Sequence, residues 1–475
     1  MAKKKENKKS GKISRPPIVT LLGHVDHGKT TLLDAISETR VASKEAGGIT
    51  QSTGASVIKT HEGKEITFID TPGHAAFEKM RSRGATVADI AVLVVAADDG
   101  VKPQTKEAIK HIKEAKIPYL VALTKVDLDT VDIEKSKREL EQEEVLLEGR
   151  GGDTPVVEVS AKEKKGLKEL LETISLLWEV NELESNPEGP LEAVVIETGK
   201  DKMGPTVSVV VRDGNLKVRD KIAAAGIEAK VKGLFNKDAK AVDRVVPGYP
   251  ALILGFKDLP PVGSIVSTKV EGQKDAQNKF KREVKEVKEG QLPVVVKAQS
   301  QGSLEAITSN LPKDAVLINS GVGDVTQNDI FMAKSSNPKA RIFVFEGKVS
   351  PNIKRLADVE GVEIEAFDII YKLFETMEEL VKQGKEKIKG IAQILKSFPY
   401  NNKQVAGCRI KRGVIEKGDS LVLMRDGEES GRVWVTSIRK QKDEVESVKD
   451  GEECGILFKP QLDFDKGDVL VSVSK

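Results

Sequence analysis

The sequence predicts a multidomain chain: an α/β domain on a mainly parallel sheet, a β-barrel, a compact α/β (βαβ) domain, a connecting helix and a C-terminal β-barrel. Three observations predict it. The 475 residues exceed what a single hydrophobic core can serve. Apolar, β-rich runs alternate with helical patterns over 16–186 and again over 291–368, the signature of parallel sheets covered by helices. Over 191–270 and 389–475 the helical period disappears, and short strands with turn signals replace it.

Residues 1–15 carry Lys3, Lys4, Lys5, Lys8, Lys9, Lys12 and Arg15 and read as a disordered basic arm, either simply solvated or touching RNA phosphates. In 16–186 the strand-like runs are Ile18–Leu22, Ile66–Ile69, Ile90–Ala97, Tyr119–Leu123 and Val156–Val159. The stretch Asn186-Pro187-Glu188-Gly189-Pro190 then breaks the helix ending near Val180 and reads as a linker. The first barrel shows Thr206–Val211 as a strand, followed by the turn Arg212-Asp213-Gly214. Residues 271–290 form a charged linker, helical or flexible. Within 291–368, Val294–Lys297, Val316–Asn319, Ile342–Phe345 and Val362–Ala366 are strand-like, and Ser320-Gly321-Val322-Gly323 reads as a tight turn. Ile370, Leu373, Phe374, Met377 and Val381 recur at helical spacing, which makes 369–388 an amphipathic connecting helix. In the last segment Gly413 and Ile415 with Asp419 and Leu421 echo Gly214 and Leu216 with Asp220 and Ile222, as two barrels of one ancestry would.

The net charge of +2 is the small difference between 76 basic and 74 acidic side chains, so any nucleic-acid surface must be a local patch. Aromatics are only 4 %, which leaves little for stacking on bases. Two cysteines and no CxxC pair exclude a disulfide framework and a zinc site, and fit a reducing cytoplasm. No apolar run reaches the roughly 20 residues that span a bilayer, and the N-terminus lacks a signal-peptide core, so no membrane partner is expected. A monomer is expected.

The chemistry is carried by Gly23-His-Val-Asp-His-Gly-Lys-Thr30, which fits G-x-x-x-x-G-K-[ST] between a predicted strand and a predicted helix. Gly23 and Gly28 let the backbone curl so that N–H groups and the helix N-terminus point at phosphate oxygens. Lys29 would bridge β- and γ-phosphates, Thr30 would offer its hydroxyl to Mg²⁺, and Thr31 completes the loop's contact set. Asp70-Thr71-Pro72-Gly73 follows a strand, which places the Asp70 carboxylate beside a Mg²⁺ water and Gly73 near the γ-phosphate. Thr124-Lys125-Val126-Asp127 offers Asp127 as the acceptor of two guanine hydrogen bonds that adenine cannot donate. Ser160-Ala161-Lys162 after the last strand would complete the base pocket through its backbone. The ligand is therefore GTP or GDP with Mg²⁺.

In this order the elements resemble the GTPase superfamily, with a P-loop GTPase domain over 16–186. His24 and His27 in the first loop narrow the resemblance to translational GTPases. In that family a histidine directly after DTPG, here His74, orients the water that attacks the γ-phosphate. Thr50, in Ala46-Gly-Gly-Ile-Thr50-Gln51, resembles the first-switch threonine that reaches Mg²⁺ only beside a γ-phosphate, and the paired glycines suit a loop that reorders. Asp26 resembles a residue that helps hold a monovalent cation near the phosphates, or it simply shapes the loop.

Glu45–Gln51, Asp70–Phe77, Gln301–Ile307, Ser320–Thr326, Gly407-Cys-Arg-Ile410 and Gly451-Glu-Glu-Cys-Gly-Ile456 together look like bacterial translation initiation factor 2 from about Pro16 onward, without the family's long N-terminal extension. The resemblance implies a factor that with GTP holds initiator formylmethionyl-tRNA on the small ribosomal subunit, promotes subunit joining and then hydrolyses GTP. It assigns the formylmethionyl end to the C-terminal barrel, through Cys408, Arg439, Lys440, Glu453, Cys454 and Gly455. Basic side chains there would meet RNA phosphates, and the soft thiols would line an apolar slot. The chain departs from the family at Thr124 for Asn, Ser52 for His and Gln441 for an aromatic. The rival readings are an elongation-type carrier of aminoacyl-tRNA, the archaeal and eukaryotic subunit-joining relative, and a module that binds GTP and ribosomes without turnover.

Overall fold

The computed structural model describes residues 12–39, 50–60, 62–129, 131–201, 203–236, 239–268, 287–288, 290–385, 387–400, 403–425, 428–441 and 443–474. Most of the Lys-rich arm, the paired glycines Gly47 and Gly48, and nearly all of the 271–290 linker lie outside the described residues. The chain divides into two compact units. The first runs to Phe374, and the second gathers Glu375–Lys475 with the short pieces Val287–Leu292 and Pro312–Val316.

The first unit opens on a six-stranded sheet. Its strands are β1 (Ile18–Gly23), β2 (Gly54–Lys59), β3 (Glu65–Asp70), β4 (Ile90–Ala96), β5 (Tyr119–Thr124) and β6 (Val156–Glu158), in the order β2-β3-β1-β4-β5-β6. All pairings are parallel except that of β2 with β3. Every residue of β4 is buried, because alternate side chains enter two cores: Val92 and Val94 on one face, Ala91, Leu93 and Val95 on the other. The helices that cover these faces are α1 (Lys29–Ser37), α2 (Glu78–Val87), α3 (Pro103–Ala115), α4 (Ile133–Gln142) and α5 (Leu167–Val180). Chain order places β3 on one side of β1 and β4 on the other, so the carboxyl ends of these strands open a crevice there.

The last residues of the expected basic arm are ordered. Ile13–Ser14 pairs with Glu184–Ser185. Arg15 is buried, and its guanidinium grips the Asp89 carboxylate at 2.6 and 2.7 Å while the Ile18 N–H donates to the same carboxylate at 2.8 Å. A carboxylate this deep needs a cation, so Arg15 cannot serve RNA phosphates as expected. The expected Asn186–Pro190 linker is likewise held in place: Asn215 donates to the Pro187 carbonyl at 2.5 Å and the Gly214 N–H to that of Asn186 at 3.2 Å.

The barrel that follows is built on the hairpin β7 (Glu192–Asp201) and β8 (Gly204–Asp213), whose Val195, Val207, Val209 and Val211 form its core. The βαβ domain carries β9 (Leu292–Ala298), α6 (Gln301–Ser309), β10 (Ala315–Val322), α7 (Gln327–Ser335), β11 (Arg341–Phe345), α8 (Pro351–Glu360) and β12 (Ile364–Phe367), with sheet order β10-β9-β11-β12. Here one expectation fails: Ser320, Gly321 and Val322 continue strand β10, and the turn begins at Gly323, φ 97°. A Cβ at Gly321 would lie 2.9 Å from the Lys297 ammonium, which pairs with buried Asp329 at 3.3 Å. The helix α6 reaches back to the nucleotide-type domain: Glu305 accepts from Arg83 at 2.7 Å and from Lys79 at 3.0 Å. The amphipathic helix α9 spans Ile370–Lys385 and buries Ile370, Leu373 and Met377.

In the second unit β13 (Lys387–Tyr400), β14 (Lys403–Glu416), β15 (Ser420–Arg425), β16 (Glu428–Lys440), β17 (Glu453–Lys459) and β18 (Val469–Ser474) follow the ring β13-β18-β15-β16-β17-β14, and β14 pairs back to β13. The echo between the two barrels is geometric as well as sequential. Gly214 and Gly413 have φ of 67° and 76°. Asp220 accepts from Lys217 N–H and Asp419 from Glu416 N–H, both at 2.8 Å, and their carbonyls accept from Val231 and Val435.

Candidate functional site

The strand ends set the site. Gly23, Val94, Ala96, Thr124 and Asp70 stand in register at the carboxyl edge of the sheet. A Cβ on Gly23 would lie 2.2 Å from the Val94 carbonyl oxygen, so only glycine lets the loop leave β1 against β4. Asp26 and Gly28 take left-handed backbone, φ 60° and 83°, and the curl delivers Lys29 to the first position of α1. A cavity of about 390 Å³ opens there, lined by Asp26, Gly28, Lys29, Thr30, Thr31, Thr50, Gly73, His74, Thr124, Lys125, Asp127, Ala161 and Lys162, with Val25 and Leu128. Gly23, His27, Asp70 and Ser160 stand behind this wall rather than on it.

Three oxygens from separate segments converge. The Thr30 hydroxyl lies 2.5 Å from that of Thr50, which donates to Asp70 Oδ2 at 3.3 Å. Two hydroxyls and a carboxylate are hard donors that suit Mg²⁺. Lys29 is buried, and its ammonium donates to the carbonyls of Gly23 at 3.0 Å and His24 at 2.6 Å. Burial lowers its pKa, against the pull of the Asp70 carboxylate. A Cβ on Gly73 would come within 2.5 Å of that ammonium and 3.1 Å of the Val25 backbone, so the cradle needs a bare backbone here. The residues present fit a phosphate chain with its metal.

His74 caps the 3₁₀ turn Ala75–Phe77, its Nδ1 accepting from the Ala76 N–H at 2.8 Å. Burial, and then the Arg81 guanidinium, push its pKa down to about 4, so the ring is neutral at neutral pH. Its ring meets that of Tyr371 in α9, centroids 4.0 Å apart. Sequence reasoning missed Arg81, which is fully buried. It donates to the Pro72 carbonyl at 3.1 Å, to that of His74, and to Glu107, so it braces the segment before His74 instead of reaching phosphates. Its helical position after Asp70–Gly73 was the only sequence signal.

At the base end, the Thr124 hydroxyl donates to the His27 carbonyl at 2.7 Å, so the residue that departs from the family pattern braces the first loop. His27 is nearly sealed, its Nδ1 3.4 Å from the Val94 carbonyl, and burial pushes its pKa down to about 4. A hydrogen bond from the Ser160 hydroxyl holds the Asp127 carboxyl below its usual range. Leu128 adds an apolar wall beside it, and Lys125, φ 59°, extends its ammonium to Asp98 at 3.4 Å.

In the second unit the six residues assigned to the formylmethionyl end are neighbours on adjoining strands. Cys408 faces Cys454, Arg409 faces Glu453, Gly407 faces Gly455, and Arg439 faces Gly455 from the other side. Arg439, Lys440 and Glu453 are exposed, with Lys440 paired to Glu452 at 2.7 Å and Arg409 to Glu453. Both thiols point into the barrel core among Ile394, Ala406 and Ile456. Burial raises both, Cys454 to about 11, so they are protonated and behave as small apolar groups.

Comparisons with known proteins agree with this architecture. Residues 14–179 match the family described as Elongation factor Tu GTP binding domain, 267–378 match Translation-initiation factor 2, and 403–471 match Elongation factor Tu domain 2. The chain is 41 % identical to translation initiation factor IF-2 of Halothermothrix orenii, over 96 % of this chain and 71 % of that protein. It is 40 % identical to the protein of that name from Persephonella marina, covering 96 % of this chain and 56 % of the relative. A solved structure, GDP-bound aIF5B from Aeropyrum pernix, is 30 % identical with a TM-score of 0.48, covering 97 % of this chain and 92 % of that one. A phosphate-type loop ending in Lys29 and Thr30, the Asp70–His74 segment and the matched domains leave one conclusion: the chain belongs to the translation initiation factor 2 family of translational GTPases.

Proposed function

We propose that the protein uses GTP to hold initiator formylmethionyl-tRNA on the small ribosomal subunit, promotes joining of the large subunit, and hydrolyses GTP to GDP when the ribosome stimulates it. The observation that carries the GTPase half is the meeting of Thr30 and Thr50 with Asp70 behind them, Thr30 and Thr50 lining the same cavity as Lys29 and His74. Thr30, Thr50 and Asp70 would hold Mg²⁺, which when bound neutralises charge on the phosphates. Lys29 exchanges the Gly23 and His24 carbonyls for β- and γ-phosphate oxygens, and Gly73 leaves room for the γ-phosphate. Asp127 accepts from guanine N1–H and the 2-amino group, Ser160 holds that carboxylate in place, and the 161–162 backbone closes over the base.

His74 is the water-orienting group. With Nδ1 taken by the Ala76 N–H, the neutral ring carries its hydrogen on Nε2, and that edge remains to hold the attacking water. Among the described residues, no arginine lines the cavity. Resembling unaided GTPases, the protein should hydrolyse GTP slowly until a ribosome fixes the geometry, and equal rates with and without ribosomes would refute this. Replacing His74 by Ala should reduce ribosome-stimulated hydrolysis by about 10²-fold or more, with GTP affinity retained. An unchanged rate would leave a GTP-binding module that does not turn over.

The tRNA half rests on Arg439, Lys440 and Glu453 lying exposed beside the Gly407–Gly455 pair, with Cys408 and Cys454 beneath. The full chain should slow hydrolysis of the aminoacyl ester in formylmethionyl-tRNA and leave unformylated methionyl-tRNA unprotected. Equal protection of both would favour an elongation-type carrier.

A further inference from the structure

Away from the nucleotide cavity, α2 and α3 bring three metal-type donors together. One carboxylate oxygen of Glu78, one of Glu107 and a ring nitrogen of His111 lie within 4.8 Å of one another. Glu107 and His111 stand at i and i+4 on α3, so both side chains leave the same face of that helix. Glu78, the first residue of α2, joins them from the solvent side: it is exposed, whereas Glu107 is half-buried and His111 buried. None of the three lines the nucleotide cavity.

His111 is 7 % exposed, and neither ring nitrogen has a hydrogen-bond partner among the described residues. A buried polar atom left idle costs free energy, so a sealed imidazole with two such atoms points to something that takes them. Nε2 stands 3.4 Å from Glu107 Oε1 without hydrogen-bond alignment, and Nδ1 stands 3.7 Å from Glu114 Oε2, too far for one. The first separation is that of two ligands on one tetrahedral ion, whose bonds of about 2.0–2.1 Å set them about 3.4 Å apart. The outer partners of such a site are present as well. Arg81 donates to Glu107 Oε1 from Nε at 2.9 Å and from Nη2 at 2.6 Å, and Glu114 faces the second nitrogen of His111. Metal-bound carboxylates are themselves hydrogen-bonded, and a metal-bound imidazole turns its other N–H to a carboxylate.

We propose that Glu78, Glu107 and His111 form a site for one divalent cation of the zinc class, with the fourth position left to water. The mixed imidazole and carboxylate set suits such an ion better than Mg²⁺, which takes oxygen ligands and keeps its waters. Charge is consistent with this: the carboxylates of Glu78, Glu107 and Glu114 are offset by the Arg81 guanidinium and the ion together. Once bound, the ion clips the start of α2 to the middle of α3, and the folded chain gains stability from it because the unfolded chain does not hold the three donors together.

The test is Zn²⁺ binding to the full chain, stripped with a chelator and then saturated with GDP and Mg²⁺ so that the nucleotide site is filled. Competition with a chromogenic chelator gives stoichiometry and Kd, and the thermal midpoint is read with and without Zn²⁺. The parent should take up one Zn²⁺ per chain with a Kd of about 1 μM or tighter, and its midpoint should rise. Loss of an outer-shell partner typically weakens metal binding about 10- to 100-fold, so Glu114→Gln should raise Kd by about 10-fold and Glu78→Ala and His111→Ala by at least that much, with the midpoint rise abolished in the last two. Glu78→Ala alters an exposed position and carries the test should His111→Ala fail to fold. No stoichiometric uptake would leave an ordinary Glu–His ion pair and overturn the proposal. Uptake at parental affinity in Glu78→Ala or in a folded His111→Ala would also overturn it, as an adventitious ion bound elsewhere.

Discussion

Thr124→Val isolates one hydroxyl. Thr124 is buried at the end of β5, and valine keeps its branched shape and strand preference, so the change removes only the donor to the His27 carbonyl. That carbonyl is left without its buried 2.7 Å partner. An unsatisfied buried acceptor costs about 1–3 kcal/mol. The cost falls where the loop is formed. If the loop keeps its curl without nucleotide, the whole loss appears in unfolding free energy. If nucleotide is what orders it, the loss appears in affinity, as a roughly 5- to 150-fold rise in Kd for GDP and GTP alike. Urea unfolding of the nucleotide-free chain and titration with a fluorescent guanine nucleotide measure the two parts, and their sum should fall in that range. Thr124→Ser should behave as the parent, and discrimination against ATP should persist because Asp127 is untouched. A Val variant with parental unfolding and parental Kd would refute the bracing role.

Two further outcomes follow from the same geometry. Arg15→Met strands the buried Asp89 carboxylate and should cost about 3–5 kcal/mol in urea unfolding, far beyond a surface lysine replacement in the same arm. His27 is held uncharged, its pKa lowered from 6.5 to about 4, while the unfolded chain takes up a proton below 6.5, so its contribution is complete above that pH and lost as pH falls toward 4. At about pH 5 that amounts to ~2 kcal/mol, and His27→Gln should unfold with a correspondingly shallower loss between about pH 7 and pH 5.

The sequence made legible what local chemistry dictates. Gly23 announces a close approach that a Cβ would block and Gly28 a left-handed turn, the run Ile90–Ala96 announces a strand buried on both faces, and Asp70 and Thr124 stand at strand ends because apolar runs stop there. What stayed hidden depends on partners distant in the chain. Arg15 read as a loose basic residue until Asp89, 74 positions on, appeared beneath it. Gly321 read as a turn because glycine usually signals one, whereas it continues strand β10 beside the Lys297 ammonium. The contacts of Gln51 with the Asp368 carbonyl and the Ile370 N–H, and of Tyr371 with His74, arise from juxtaposed elements and leave no periodic trace. The cysteines could be paired with the barrel by resemblance, but only the cross-strand register puts Cys408 against Cys454 with both in the core.

The return of β14 to β13 bears on how the second unit behaves in a crowded solution. An open sheet ends in a strand whose bare N–H and C=O groups template pairing with other chains. Strands joined in a ring have satisfied each other, so nothing along that ring invites a stranger's backbone. A surface proposed to receive an RNA end and release it must stay clear of such sticky competition. Closure therefore protects the availability of the Arg439–Lys440 face at high protein concentration, independent of any particular side chain on it.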